Sequence, residues 1–226
     1  MVRAKYSYQI VTNRVRLVCA IVIVLTMPTA LASSAPNPAQ QLAALLVPVQ
    51  HLKAEFTQRV LGARREMLQS SEGYVRIARP QQFKWVLSAP YPQTVVTVGD
   101  RLYVYDPDLQ QVQVKPLADA LAGTPALVLL GTAAEIEAQF EVKREDANGL
   151  ELFGLTPKDP KAVYTDIRLS FSDKRLVRIE IVDSLGQLTD VNFHNLEVNQ
   201  PFSPDEFQFT VPPDADVIGD ATPKPS

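Results

Sequence analysis

Counting by twos from Val75 and Ile77 lands on Arg79, and counting from Phe83 through Trp85 to Leu87 gives an apolar row with Lys84 and Ser88 on the opposite side. Alternation of period two marks a half-buried strand. The same rhythm runs through "LKAEFTQRVL" (52–61), "SEGYVRIAR" (71–79) and "FKWVLS" (83–88). "TVVTVGDRLYVYD" (94–106) reads as a hairpin, because Gly99-Asp100 is a two-residue turn of the primed type between two β-rich runs. Asp106-Pro107-Asp108 makes the next turn and "QVQV" (111–114) the next strand. After a break, "FEVKRE", "GLELFGLTP", "YTDIRLSFS", "RLVRIEIVDS" and "QLTDVNFHNLEV" follow, separated by turns at Asn148-Gly149, Asp173-Lys174 and Leu185-Gly186. Ile167, Leu169 and Phe171 fall on one face, as do Val177, Ile179 and Ile181. The phase slips between Phe193 and Leu196, which predicts a bulge. "DEFQFTVP" (205–212) reads as the last strand and "DADVIGDATPKPS" (214–226) as a tail, free after about 218.

The helical pattern is short and local. "PAQQLAALLVPVQHL" places Pro38 in a first turn, Leu42, Leu45 and Leu46 on one side, and Pro48 as a stop. The mid-chain break holds three more pieces. "KPLADALAG" carries Leu117 and Leu121 and stops at Gly123; "TPALVLLG" carries Leu127, Val128, Leu129 and Leu130; "TAAE" (132–135) resembles a capping box. About ten strands with one apolar face leave a broad surface to cover. A curled antiparallel sheet solves this by closing into a barrel or by holding a helical lid over its open side. The mid-chain place of the apolar helices favours a lid, and the alternative is that they plug the sheet as ordinary core.

Composition narrows function more than fold. A length of 226 residues, with 46% hydrophobic and 21% charged positions, suits one globular domain. Arg3, Lys5, Arg14 and Arg16 precede the apolar run "LVCAIVIVLTM", and Ala30-Leu31-Ala32 supplies a small-residue site, so residues 1–32 read as a cleaved export signal. The apolar run is short for a membrane span. Cys19, the single cysteine, lies inside it, so residues 33–226 are expected to form one soluble domain without lipid or disulfide. Taking those four bases from 22 leaves 18 against 25 acids, a formal charge of −7, which disfavours nucleic acid as a partner.

Catalysis is not expected. His51 and His194 are the only histidines, neither G-x-S-x-G nor H-E-x-x-H occurs, and the aspartates at 100, 106 and 108 suit turns. No motif for a metal or other cofactor is present. Arg79 is the odd residue. It either ends a strand at Pro80 with its side chain reaching water, or crosses the inner face to bond carbonyls of a covering helix.

"FTQRV" (56–60), "ARPQQFKWVLSAPYPQTVVTVGDRLYVYDPDLQQVQV" (78–114), "LTPKD", "VDSLGQLTDVNF" and "FQFTVPPDADVI", in this order, resemble the LolA family of periplasmic lipoprotein carriers. The resemblance spans about residues 42–218. It implies a mostly β fold with short helices: an unclosed antiparallel half-barrel with an α-helical lid over an apolar cavity. It also implies a monomer that takes acylated lipoproteins from an inner-membrane ABC transporter, LolCDE, and passes them to an outer-membrane receptor, LolB. Arg79, Pro80, Phe83 and Trp85 match the family's Arg-Pro-x-x-Phe-x-Trp pattern, whose arginine contacts the lid, so Arg79 becomes the expected latch. Lys84 stands where relatives often have arginine. The expected cavity and lid set is Arg79, Phe83, Trp85, Tyr103, Leu117, Leu121, Leu127, Leu129 and Leu130. A carrier or sensor of another lipid or glycolipid on the same fold is the competing expectation. A hydrolase of acylated substrates is opposed by the missing nucleophile constellation.

Overall fold

The computed structural model describes residues 36–117 and 125–219, with side chains for all of these except 125–127. The export signal, Cys19, Leu121 and the side chain of Leu127 lie outside the described residues.

Twelve strands form one sheet: β1 (His51–Leu61), β2 (Met67–Ala78), β3 (Gln82–Ala89), β4 (Gln93–Val98), β5 (Arg101–Asp106), β6 (Gln111–Pro116), β7 (Phe140–Ala147), β8 (Leu150–Pro157), β9 (Tyr164–Ser172), β10 (Arg175–Asp183), β11 (Leu188–Val198) and β12 (Asp216–Gly219). Their order is β12-β6-β5-β4-β3-β2-β1-β11-β10-β9-β8-β7, so β7 and β12 remain as free edges and the sheet does not close. Every pairing is antiparallel except β12 on β6. Both halves are meanders built from short turns. The chain crosses to the second half between β6 and β7 and returns after β11 to add β12 beside β6, and β1 zips the halves together by pairing β2 on one side and β11 on the other.

Turn chemistry fixes the registers. Val98 pairs with Arg101 around Gly99 at φ 60°. Positive φ at the first central residue alone is the type II′ pattern, open to glycine without steric cost. Asn148-Gly149 and Asp173-Lys174 have positive φ at both central residues, the type I′ pattern. The predicted bulge is present: β1 advances from Lys53 to Glu55 while β11 runs from Glu197 to His194, and Asn195 takes φ 52°.

Three helices are described: α1 (Pro38–Leu46), α2 (Pro125–Leu130) and α3 (Ala133–Gln139). Asn37 with Gln40, and Thr132 with Glu135, form reciprocal capping boxes that satisfy the first orphan N–H groups of α1 and α3. These helices cover one face of the sheet, the inner face. Leu42 and Leu46 of α1, Val128, Leu129 and Leu130 of α2 and Ile136 of α3 share one buried cluster with Phe56, Val75, Ile77, Phe83, Phe153, Ile167, Leu169 and Phe171.

Three readings of the sequence need correction. Val177 does not share the inner row with Ile179: the ladder steps from Leu176 to Arg178 against consecutive residues of β9, and Leu176 takes the buried place beside Phe171. "DEFQFTVP" is not a strand but part of an irregular strap that crosses the outer face. Lys84 Nζ donates to the Glu206 carbonyl at 2.9 Å, Arg76 pairs with the Glu206 carboxylate at 3.4 Å, and Phe209 meets Tyr103 and Tyr105 with ring centroids 5.6 and 6.0 Å apart. The last strand lies within the supposed tail, where Asp216–Gly219 extends the sheet along β6.

Candidate functional site

Arg79 follows the last residue of β2, and its backbone N–H donates to Gln50 at 2.9 Å, which prolongs the β1–β2 ladder by one bond. The side chain therefore keeps the inward phase of Val75 and Ile77. Just beyond Pro80, the Thr97 hydroxyl donates to the Gln81 carbonyl and accepts the Phe83 N–H, both at 2.8 Å, which pins the entry to β3. From this fixed base the guanidinium spans two covering elements. Nη2 donates to the Leu129 carbonyl at 2.6 Å, Nη1 to the Leu130 carbonyl at 2.7 Å, and Nε to the Val49 carbonyl at 3.1 Å.

The partners make physical sense. Leu129 and Leu130 are the last residues of α2, whose terminal carbonyls have no acceptor role within the helix and carry the negative end of its dipole. A cation there satisfies them. Arg79 is half-buried, and burial holds its guanidinium below the usual arginine value. The contact thus joins the end of α2, the segment after α1 and the end of β2 through a single side chain.

Phe83 is buried on the inner face, and Trp85 is half-buried beside it with ring centroids 6.4 Å apart. Trp85 also stacks on Phe56 at 4.1 Å and meets Phe193 edge-on at 6.3 Å. Phe56 reaches Trp85 across β2 because Gly73 lies between them. A Cβ on Gly73 would come within 2.0 Å of the Val86 carbonyl oxygen and 2.8 Å of the Phe56 ring. Leu129 and Leu130 face this aromatic and aliphatic surface from α2, each buried.

Leu45, Val49, Leu52, Ile77, Leu129 and Phe171 help to line a cavity of about 80 Å³ that Arg79 also borders. A pocket for a drug-sized ligand needs roughly 300 Å³ or more. Among the described residues, this cavity is too small for an extended apolar ligand.

Tyr103 is not part of this surface. It pairs with Val96, which pairs with Lys84, and directly opposed residues share a face, so Tyr103 points to the outer side with Lys84 while Trp85 points inward with Val95. Its ring packs on Phe209 of the strap. Together with Val96, Val112, Val114 and Phe207, all buried, it belongs to a second apolar layer between sheet and strap. Leu117 is buried at the end of β6, where its N–H donates to Asp100 at 2.8 Å.

Sequence reasoning missed Phe56 and Phe193, whose inward phase was available from their strands. It also missed a charged network on the outer face. Asp190, with a side chain only 1% exposed, accepts from Arg59 and Arg178 at 2.6 Å each and from Asn192 at 3.1 Å. Burial alone would raise this carboxyl, but the bonds from Arg178 and Arg59 and their charges outweigh it and hold it below the usual carboxylate value.

An unclosed sheet with an apolar inner face covered by short helices defines the class of open half-barrels. The family model "Outer membrane lipoprotein carrier protein LolA" matches residues 48–210. An outer-membrane lipoprotein carrier protein of Chromohalobacter salexigens is 41% identical over 180 residues, covering 80% of this chain and 86% of that one. A protein of the same description from Hahella chejuensis is 38% identical over 182 residues, covering 80% and 87%. The solved structure of an uncharacterized conserved protein from Thermus thermophilus aligns with TM-score 0.52 over 80% of this chain and 99% of that one, at 12% identity, a likeness of fold alone. The chain belongs to the LolA family of outer membrane lipoprotein carrier proteins.

Proposed function

We propose that the protein works in the periplasm as a monomeric carrier that receives triacylated lipoproteins from the inner-membrane transporter LolCDE and releases them to the receptor LolB, with Arg79 as the displaceable latch of its lid. The observation that carries this reading is the pair of bonds, 2.6 and 2.7 Å, from Arg79 to the end of α2 over an apolar inner face. Energetics make a carrier necessary. Three acyl chains hold about 45 methylenes at roughly 0.8 kcal/mol each, so leaving a bilayer unaided costs tens of kcal/mol. A carrier must replace that burial with its own apolar surface, here Phe56, Phe83, Trp85 and Phe193 on the sheet side and Leu129 and Leu130 on the lid side.

The latch has a suitable strength. Charge-assisted hydrogen bonds contribute about 1.5–3 kcal/mol each, and at a half-exposed site the lower end applies. Two such bonds keep the lid shut in water and yield to the burial of a few methylenes. The remaining bond to Val49 does not depend on α2, so Arg79 stays placed for reclosure.

The reading is tested by incubating residues 33–226 with spheroplasts. Lipoproteins appearing in the soluble fraction as one-to-one complexes, dependent on ATP hydrolysis, are expected. Absence of release, with free lipid on the purified protein, would replace lipoprotein by another lipid as the cargo.

A further inference from the structure

The cavity under α1 and α2 has a chemical asymmetry that the acyl chains of a lipoprotein do not explain. Its lining is apolar except for Arg79, Lys174 and Arg175, and it includes no acid. Arg79 is engaged with carbonyls, but the other two cations belong to the exposed β9–β10 turn at the cavity mouth. Arg175 spends one nitrogen on the Leu196 carbonyl at 2.6 Å, and Lys174 is exposed, with an ammonium directed by no ion pair among the described residues. Asp173 shares the turn without lining the cavity. Lys174 moreover occupies a backbone position with φ 62°, where glycine or asparagine is the usual occupant of a type I′ turn. The lipid moiety of a triacylated cysteine is neutral, a set of esters and an amide. Two cations at the rim of an apolar cavity match a different ligand.

We propose that the cavity also takes single-chain amphiphiles with an anionic head, the class shared by free fatty acids and anionic lysophospholipids. The tail enters between Leu45, Leu129 and Phe171 as α2 moves off the sheet and enlarges the small cavity, and the carboxylate or phosphate stays at the mouth on Lys174 and Arg175. This rests on the reading of the cavity as an acyl-chain site and adds a head-group preference to it. Such ligands compete with cargo for the same space, so the carrier's free capacity depends on the anionic amphiphiles around it.

The test is displacement of a bound fluorescent apolar probe from residues 33–226. Competitors are myristate, the neutral alcohol of equal chain length, lysophosphatidylglycerol and zwitterionic lysophosphatidylcholine, all below their micelle concentrations. Myristate and lysophosphatidylglycerol are expected to displace the probe at roughly tenfold lower concentration than their uncharged or zwitterionic counterparts, the effect of about two charge-assisted contacts at an exposed rim. The preference should shrink at high salt and fall to about one in the Lys174→Gln, Arg175→Gln double variant. Since losing the Arg175 bond to Leu196 could disturb β11, Lys174→Gln alone, with folding checked by circular dichroism, should lower the ratio by at least half. Myristate preference without lysophosphatidylglycerol preference would identify a carboxylate site, and the reverse a phosphate site. Equal displacement by charged and neutral competitors, or a ratio unchanged in both variants, overturns the proposal. Lipoprotein release by the unaltered protein from spheroplasts is scored separately, so failure of the carrier reading and failure of the head-group preference give different results.

Discussion

Replacing Arg79 with leucine removes the three side-chain bonds that join the end of β2 to α2 and to the segment after α1. Only the two to Leu129 and Leu130 differ between a closed and an open lid. At about 1.5 kcal/mol each, they account for roughly 3 kcal/mol of closure, which corresponds to about a hundredfold in the lid equilibrium. The leucine side chain itself is tolerated, because the cavity it enters is apolar. A probe that binds only the open form has an apparent affinity scaled by the open fraction, so Arg79→Leu should tighten probe binding by up to about a hundredfold. Amide exchange in α2 should accelerate by the same factor, while exchange in β1, β2 and β11 stays slow, since those strands keep their ladders. The same variant should accept cargo but return it poorly, because reclosure no longer helps to expel it. Unchanged probe affinity and unchanged α2 exchange in a folded variant would refute the latch.

Other expectations concern separate parts of the molecule. Leu129→Gln should weaken cargo capture more than global stability, because a lid can open and so limits its own contribution to unfolding, whereas equal losses measured by probe binding and urea melts would make α2 ordinary core. Gly73→Ala drives a methyl into the Val86 carbonyl and the Phe56 ring and should cost at least about 1–3 kcal/mol in urea denaturation. Asp190→Asn leaves Arg59 and Arg178 without their shared buried carboxylate and should cost about 3 kcal/mol, the low end for a broken buried pair because both guanidiniums are partly exposed. The folded carboxyl of Asp190 lies below its unfolded value, so its stabilising contribution is present above pH ~4 and disappears as pH falls through the folded value. Urea melts between pH 6 and 3 should show a drop that the Asp190→Asn variant lacks.

Much of the architecture was legible because local signals coincide with tertiary needs. Gly99-Asp100, Asn148-Gly149 and Asp173-Lys174 mark turns that the ladders require, and the phase break before Leu196 marks a bulge that the β1 pairing shows. Arg79 stood out because a cation in phase with Ile77 conflicts with an apolar face. Where both faces of a strand are apolar, period-two reading loses its power. In Tyr103-Val104-Tyr105 every position is hydrophobic, and only the strap, with Phe209 on the outer side, decides which residues face the inner surface. The strap itself alternates Phe207 and Phe209 like a strand, yet it lies across the sheet face and has no ladder partner until Asp216. The β10 bulge at Val177 left no sequence signal, since Leu176 and Val177 suit an inner position equally well. Lys174 was read only as a turn residue and Arg175 only as the start of a strand, because the sequence alone does not show that both border the cavity.

The central claim is that acyl chains occupy the space between α2 and the inner face of the sheet. Photoreactive benzoylphenylalanine placed at Trp85 or at Tyr103, in carrier loaded with lipoprotein bearing radiolabelled palmitate, tests it directly, because the two positions lie on opposite faces of adjacent parts of one sheet. The account predicts label transfer to the carrier at position 85 and none above background at 103. Equal transfer at both positions, or transfer at 103 alone, would place the chains outside the lid-covered face and contradict it.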